Sequence, residues 1–151
     1  MKKIIYILLI ISCLLFSGCN SKDEKIKNDN NIKINTVEEE VQSMKVIIEE
    51  KEYLVNLEDN ETVKALIKLL PQEFKMNELN GNEKYVYLDN TLPTNSENPK
   101  KIYQGDVMLY GNNCLVIFYK TFDTSYSYTK IGHIDNLPEL GNNNVSIILK
   151  K

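Results

Sequence analysis

Val107-Met108-Leu109-Tyr110-Gly111-Asn112-Asn113-Cys114-Leu115-Val116-Ile117-Phe118-Tyr119 is the stretch on which the fold turns. Two apolar runs, Val107 to Tyr110 and Cys114 to Tyr119, flank the turn residues Gly111-Asn112-Asn113, the pattern of a β-hairpin. The second run carries no alternating polar residues, so both of its faces need cover. That places it as a central strand.

Working outward, Ser127 to Ile131 and Val145 to Leu149 read as further strands, with a short helix or turn over Asp135 to Leu140 between them. Upstream, Asp89 to Lys100 holds Pro93 and Pro99 among Asn, Thr and Ser, the composition of a long surface loop. Phe74 to Met76 and Tyr85 to Leu88 are strand candidates around Asn80-Gly81, a strong turn dipeptide. A helix is predicted before them. Asn60 is a good N-cap, Glu61 sits at the positive end of the helix dipole, and Pro71 stops the element. Val63, Leu66, Ile67 and Leu70 fall at i, i+3, i+4 and i+7, one apolar stripe suited to covering a sheet. Lys45 to Ile48 and Tyr53 to Leu57 give two more strands around a polar turn. Many short strands with one or two helices point to a mainly β fold. A closed antiparallel barrel is expected rather than a sandwich, because closure removes exposed strand edges.

The chain has 151 residues, 42% of them hydrophobic and 26% charged, which suits one soluble domain rather than a multi-span membrane protein. Its net charge of -3 offers no basic surface for nucleic acid, and none is expected as a partner. With 3 Cys and 1 His, a structural zinc site and a disulfide framework are both excluded. All 18 basic residues are lysine.

The N-terminus reads as an address. Lys2 and Lys3 precede an apolar run from Ile4 to Phe16, which as a helix would span about 20 Å, short of a hydrocarbon core of about 30 Å. A signal peptide over residues 1–18 is therefore expected rather than a spanning anchor. Phe16-Ser17-Gly18-Cys19 resembles a bacterial lipobox, which implies cleavage between Gly18 and Cys19 and lipid attachment at the Cys19 thiol. The mature chain would be an extracytoplasmic lipoprotein held to the cell membrane by acyl chains including palmitate. Loss of Lys2 and Lys3 takes the net charge from -3 to -5, so the lipid and not electrostatics would do the holding. Residues 19–43 are rich in Lys, Asp, Glu, Asn and Ser and read as a flexible tether, leaving 44–151 as the folded domain.

Leu79-Asn80-Gly81-Asn82-Glu83-Lys84-Tyr85, Gly105 to Asn112, Phe118 to Phe122 and Tyr126 to Gly132 resemble the bacterial small cyclophilin-like barrel proteins across 44–151. The resemblance implies a compact eight-stranded barrel with helices covering its ends. It also implies a possible role as accessory to flavodoxin-like redox proteins, although the sequence carries no flavin signature. Cyclophilin-type prolyl isomerases use an Arg as a planar donor fork near the prolyl nitrogen, and lysine is a compact ammonium that does not replace it. With no Arg in the chain, no isomerase residue maps onto any position. The expected function is a binding module for a peptide or small ligand without isomerase activity; the alternative is an atypical peptidyl-prolyl isomerase.

Phe118, Tyr119, Phe122, Tyr126 and Tyr128 alternate with Thr121, Thr124, Ser125 and Thr129. Such a set can line a groove that stacks on a flat or apolar group, with hydroxyls to orient it. Strand propensity alone accounts for the same residues. Tyr119, Phe122, Tyr126 and Tyr128 are the candidate ligand contacts, with Phe122 and Tyr126 favoured because Thr121 to Ser125 reads as a loop. His133 lies near Asp135, Ser125 and Ser127, but no Gly-x-Ser-x-Gly elbow accompanies them, and a hydrogen-bonded surface His is the expectation. Cys114 reads as a small buried hydrophobe. No catalytic residue, metal ligand or cofactor is assigned.

Overall fold

A computed structural model describes residues 43–151 of the chain. The expected signal peptide (1–18), Cys19 and all but the last residue of the expected tether (19–43) lie outside the described residues. Ten strands and one helix follow in order: β1 (Ser43–Ile48), β2 (Lys51–Leu57), α1 (Glu61–Lys68), β3 (Gln72–Leu79), β4 (Glu83–Tyr87), β5 (Lys101–Ile102), β6 (Asp106–Tyr110), β7 (Cys114–Phe118), β8 (Phe122–Asp123), β9 (Thr129–Ile134) and β10 (Val145–Lys150). Eight of them close a barrel in the order β1-β10-β3-β4-β7-β6-β9-β2, every pairing antiparallel. β1 begins at Ser43, one residue ahead of the expected boundary, and Met44 is already in the core. Of the two alternatives for Asp135 to Leu140 the turn is the one found: Asp135 and Asn136 form it, and the rest has no regular secondary structure.

The hairpin over β6 and β7 pairs Val107 with Ile117 and Leu109 with Leu115, across a turn that Gly111 enters at φ +61°. Alternate residues of a barrel strand face in and out. Val107, Leu109, Leu115 and Ile117 therefore join Val46, Met76, Ile131, Ile147 and Leu149 in the interior core. Met108, Cys114, Val116 and Phe118 point the other way and form a second cluster with Ile102 and Tyr128. This explains why β7 is buried at every position. It is central in the sheet, as expected, and its outer face is roofed by chain from outside the barrel.

That roof is an apron of short pieces. β5 and β8 pair as a separate two-stranded sheet, Lys101 with Asp123 and Ile102 with Phe122. The long loop before β5 is pinned at its near end to the hairpin turn, where Leu88 N donates to Asn113 O at 2.7 Å and Leu92 N to Asn112 O at 2.7 Å. At its far end Glu97 and Tyr128 exchange two backbone hydrogen bonds of 2.9 Å.

The helix is built as its cap predicts. Asn60 Oδ1 accepts from Val63 N at 2.9 Å, while Asn60 Nδ2 donates to Lys130 O on β9 at 2.9 Å. Val63 and Leu66 are buried in the interior core, with Ile67 and Leu70 packed beside them. Thr62 Oγ1 donates to Pro93 O at 2.6 Å, tying the helix to the long loop.

Two places show how tightly the barrel closes. β9 carries an irregularity opposite Val107/Met108, and Gly132 beside it pairs with Leu57 of β2. A Cβ on Gly132 would sit 2.3 Å from Asn56 O, a distance no packing adjustment of a side chain relieves. Elsewhere the core takes in a fully buried lysine. Lys84 Nζ donates to Gly141 O at 2.5 Å and Asn143 O at 2.7 Å, and lies 4.8 Å from the Tyr119 ring centroid. Burial pushes its pKa down, and the nearby Glu78 charge opposes that shift. The two carbonyl bonds anchor the segment leading into β10.

Candidate functional site: an aromatic cleft on the outer wall

β4 and β7 run side by side with Glu83 opposite Phe118, Tyr85 opposite Val116 and Tyr87 opposite Cys114. Because side chains alternate, Glu83, Tyr85 and Tyr87 share the outer face that β7 offers through Cys114 and Val116. The apron does not cover this whole face. It leaves a cleft of about 430 Å³, with Cys114 and Val116 among its lining residues. One side is supplied by Glu83, Tyr85 and Tyr87 with Leu79, Asn80 and Asn82 of the β3–β4 turn; the other is supplied by Tyr110, Tyr128 and the Phe122–Tyr126 segment. The volume falls within the range of small-ligand pockets.

The aromatic rings brace one another. Tyr110 meets Tyr126 edge-on, with centroids 6.0 Å apart, and meets Tyr128 at 5.6 Å. Phe118 contacts both Phe122 at 5.7 Å and Tyr128 at 5.5 Å, fixing the inner edge of the apron. Tyr85 and Tyr87 form a second edge-on pair at 5.9 Å. Tyr126 is 61% exposed and Tyr87 64%, large areas of ring left in water. Exposed aromatics concentrated around one concavity differ from singly scattered ones, which need no explanation.

The cleft is acidic. Burial, reinforced by the Glu78 charge, pushes the Glu83 carboxyl up to about 7. Burial and the Glu83 charge push the Cys114 thiol up to about 11, so it remains a thiol at neutral pH and is a poor nucleophile. Burial, followed by Glu83, also raises Tyr128 to about 12. Among the described residues, no three His, Cys, Asp or Glu side chains converge to hold a metal ion.

Three of the four tyrosine and phenylalanine candidates from the sequence, Phe122, Tyr126 and Tyr128, come together in the lining of this cleft. Tyr119 does not. It is 0% exposed in the interior core, with its hydroxyl donating to Glu78 Oε1 at 3.1 Å. Burial and the Glu78 hydrogen bond push it up to about 12. Its direction follows from parity: Tyr119 shares the inward side with Leu115 and Ile117. Tyr85, Tyr87, Tyr110 and Glu83 were missed, and only the alternation Glu83-x-Tyr85-x-Tyr87, which puts three large side chains on one strand face, carried a signal.

His133 is hydrogen-bonded, as expected, and its partner is a carboxylate distant in sequence. Its Nδ1 lies 3.0 Å from Oδ1 of buried Asp106, and its Nε2 lies 3.8 Å from Asp135 Oδ1. Asp106 Oδ2 also accepts from Tyr103 N at 2.8 Å. The imidazole thus clamps the Tyr103–Asp106 turn onto β9, and carboxylates rather than a serine face its nitrogens.

A closed antiparallel barrel of eight strands, with a single short helix and a lateral aromatic cleft, defines a small β-barrel domain. The chain belongs to the cyclophilin-like family, which it matches over residues 46–150. It is also similar to the solution structure of a hypothetical protein from Archaeoglobus fulgidus, with 20% identity, a TM-score of 0.48, and coverage of 72% of this chain and 93% of the other. No curated protein matches the chain.

Proposed function

We propose that this protein is a membrane-anchored extracytoplasmic lipoprotein whose cyclophilin-like barrel binds a peptide segment or small ligand in the outer cleft, without isomerase activity. The observation that carries the binding role is the cleft itself: exposed rings of Tyr87, Tyr110 and Tyr126 facing a concavity of about 430 Å³. Rings held in water at such a site supply contact area at low cost in side-chain entropy. The anchoring role rests on the order of basic start, short apolar run, small residues and Cys19. The absence of Arg argues against a cyclophilin-type isomerase site.

Two measurements test this reading. Cys19→Ser is expected to release the protein from the membrane fraction and abolish acyl labelling; retention in the membrane would refute the anchor. The pair Phe122→Ala and Tyr126→Ala is expected to abolish ligand or partner capture by the full chain. Unchanged capture would place the binding surface elsewhere.

A further inference from the structure

Among the described residues the cleft carries acceptors but no cation. Glu83 on β4 and Asp123 on β8 lie among its lining residues, and no Lys or His does so. Neither carboxylate has a salt-bridge partner among the described residues. Lys101, paired with Asp123 in the backbone register, holds its ammonium 5.7 Å from the Tyr103 ring centroid instead. A third acceptor is also unpaired: Asn82, another lining residue, has its Oδ1 buried without a hydrogen-bond partner. That oxygen has almost no accessible surface, so it adds to the acceptor character of this wall and is not itself open to a ligand.

Aromatic faces attract cations through their quadrupoles, most strongly where water is partly excluded. Carboxylates accept N–H bonds, and the apolar floor of Val116 and Cys114 suits an alkyl chain. Resting on the reading of the cleft as a ligand site, we infer that its occupant is an alkylammonium: an apolar stem along the rings, with its charged N–H donors at Glu83 or Asp123. A free amine and the side chain of a peptide lysine share this chemistry. An anionic or strongly polar neutral ligand does not fit it.

The acidity of the site gives a second handle. The Glu78 charge on β3 reaches Glu83 through the wall, and the Glu83 charge is felt by Cys114 of β7, by Tyr119 just after that strand and by Tyr128 beside β9. The thiol and both phenols hold their protons to about 11 or 12, leaving Glu83 to titrate near neutrality. An ammonium favours the ionised carboxyl, so its binding strengthens as Glu83 loses its proton.

The test is titration of the full chain with pentylammonium, with 1-pentanol as its neutral counterpart, and with Nα-acetyl-lysine methylamide, followed by cleft tyrosine resonances. Pentylammonium is expected to bind about tenfold tighter than pentanol at pH 8, and about fivefold tighter at pH 8 than at pH 6. Glu83→Gln should abolish that pH dependence, and Asp123→Asn, at an exposed position, should weaken the amine without touching pentanol. Equal affinity for the lysine derivative supports a peptide lysine as the source; selective binding of pentylammonium supports a free amine. Pentanol binding as tightly as the amine, with Glu83→Gln silent, would overturn the charge preference and leave the cleft a ligand site. Unmoved cleft resonances with all three probes would overturn both the charge preference and the ligand-site reading.

Discussion

The two faces of β7 differ in kind although they come from alternate residues of one strand. Inward, Leu115 and Ile117 meet aliphatic side chains from around the barrel and exclude water fully. Outward, Cys114, Val116 and Phe118 meet a thin aromatic apron that covers part of the surface and leaves the rest as a cleft. The interior buys stability; the outer face trades closure for rings and acceptors turned toward solvent. In this barrel the candidate chemistry sits outside the wall, and the two faces should respond to substitution in opposite ways.

The strongest way to break the comparison is at the interior. Leu115→Ala should destabilise the fold by about 3 kcal/mol, the usual cost of a deleted buried leucine side chain with its residual cavity. Gly132→Ala, which drives a Cβ into Asn56 O, should cost a similar amount, about 3 kcal/mol. Urea unfolding of the full chain followed by tyrosine fluorescence measures both. A cost near zero for either would mean that the barrel closes less tightly than its register implies.

Lys84→Met comes next, at about 2 kcal/mol, because it leaves the carbonyls of Gly141 and Asn143 without their donor. The accompanying change should be faster amide hydrogen exchange near β10. Glu83 tests the boundary between the two faces. The folded chain holds this carboxyl's proton up to about 7, against an ordinary value of 4.5. The folded state therefore binds more protons than the unfolded one between those values, and stability falls as pH rises through that window. Screening at a partly exposed site limits the loss to roughly 2 kcal/mol. Glu83→Gln should flatten this slope, gaining on the parent at pH 8 and matching it at pH 4. An unaltered slope would assign the titration to another group.

The smallest stability effect belongs to the cleft rim. Tyr126→Ala should shift stability by less than about 0.5 kcal/mol, as expected of a surface position, while weakening ligand binding. Large destabilisation there would make Tyr126 a structural part of the apron and remove the distinction between the faces.

Much of the barrel was legible in the residues. The Asn60 cap and Pro71 bracketed the helix, and the alternation of Val145, Ile147 and Leu149 marked the inward face of β10. The unbroken apolar run of β7 demanded cover on both sides. What could not be read was the source of that cover, because β5 and β8 are two residues each and too short for any periodicity. The cleft was half legible for the same reason. Phe122, Tyr126 and Tyr128 stood out as a local cluster. Tyr85, Tyr87 and Tyr110 belong to the same site only through register between strands distant in sequence. The Asp106–His133 contact likewise spans 27 residues and depends on the pairing of β6 with β9. Tyr119 was the avoidable error, since the parity of β7 already directs it inward.

The most direct test of the account is a crystal structure of the protein grown with pentylammonium. The amine is expected between the rings of Tyr87 and Tyr126, with its nitrogen within hydrogen-bonding distance of Glu83 or Asp123. An empty cleft, or the amine bound only elsewhere on the surface, would contradict the claim that the outer face of β7 carries the ligand site.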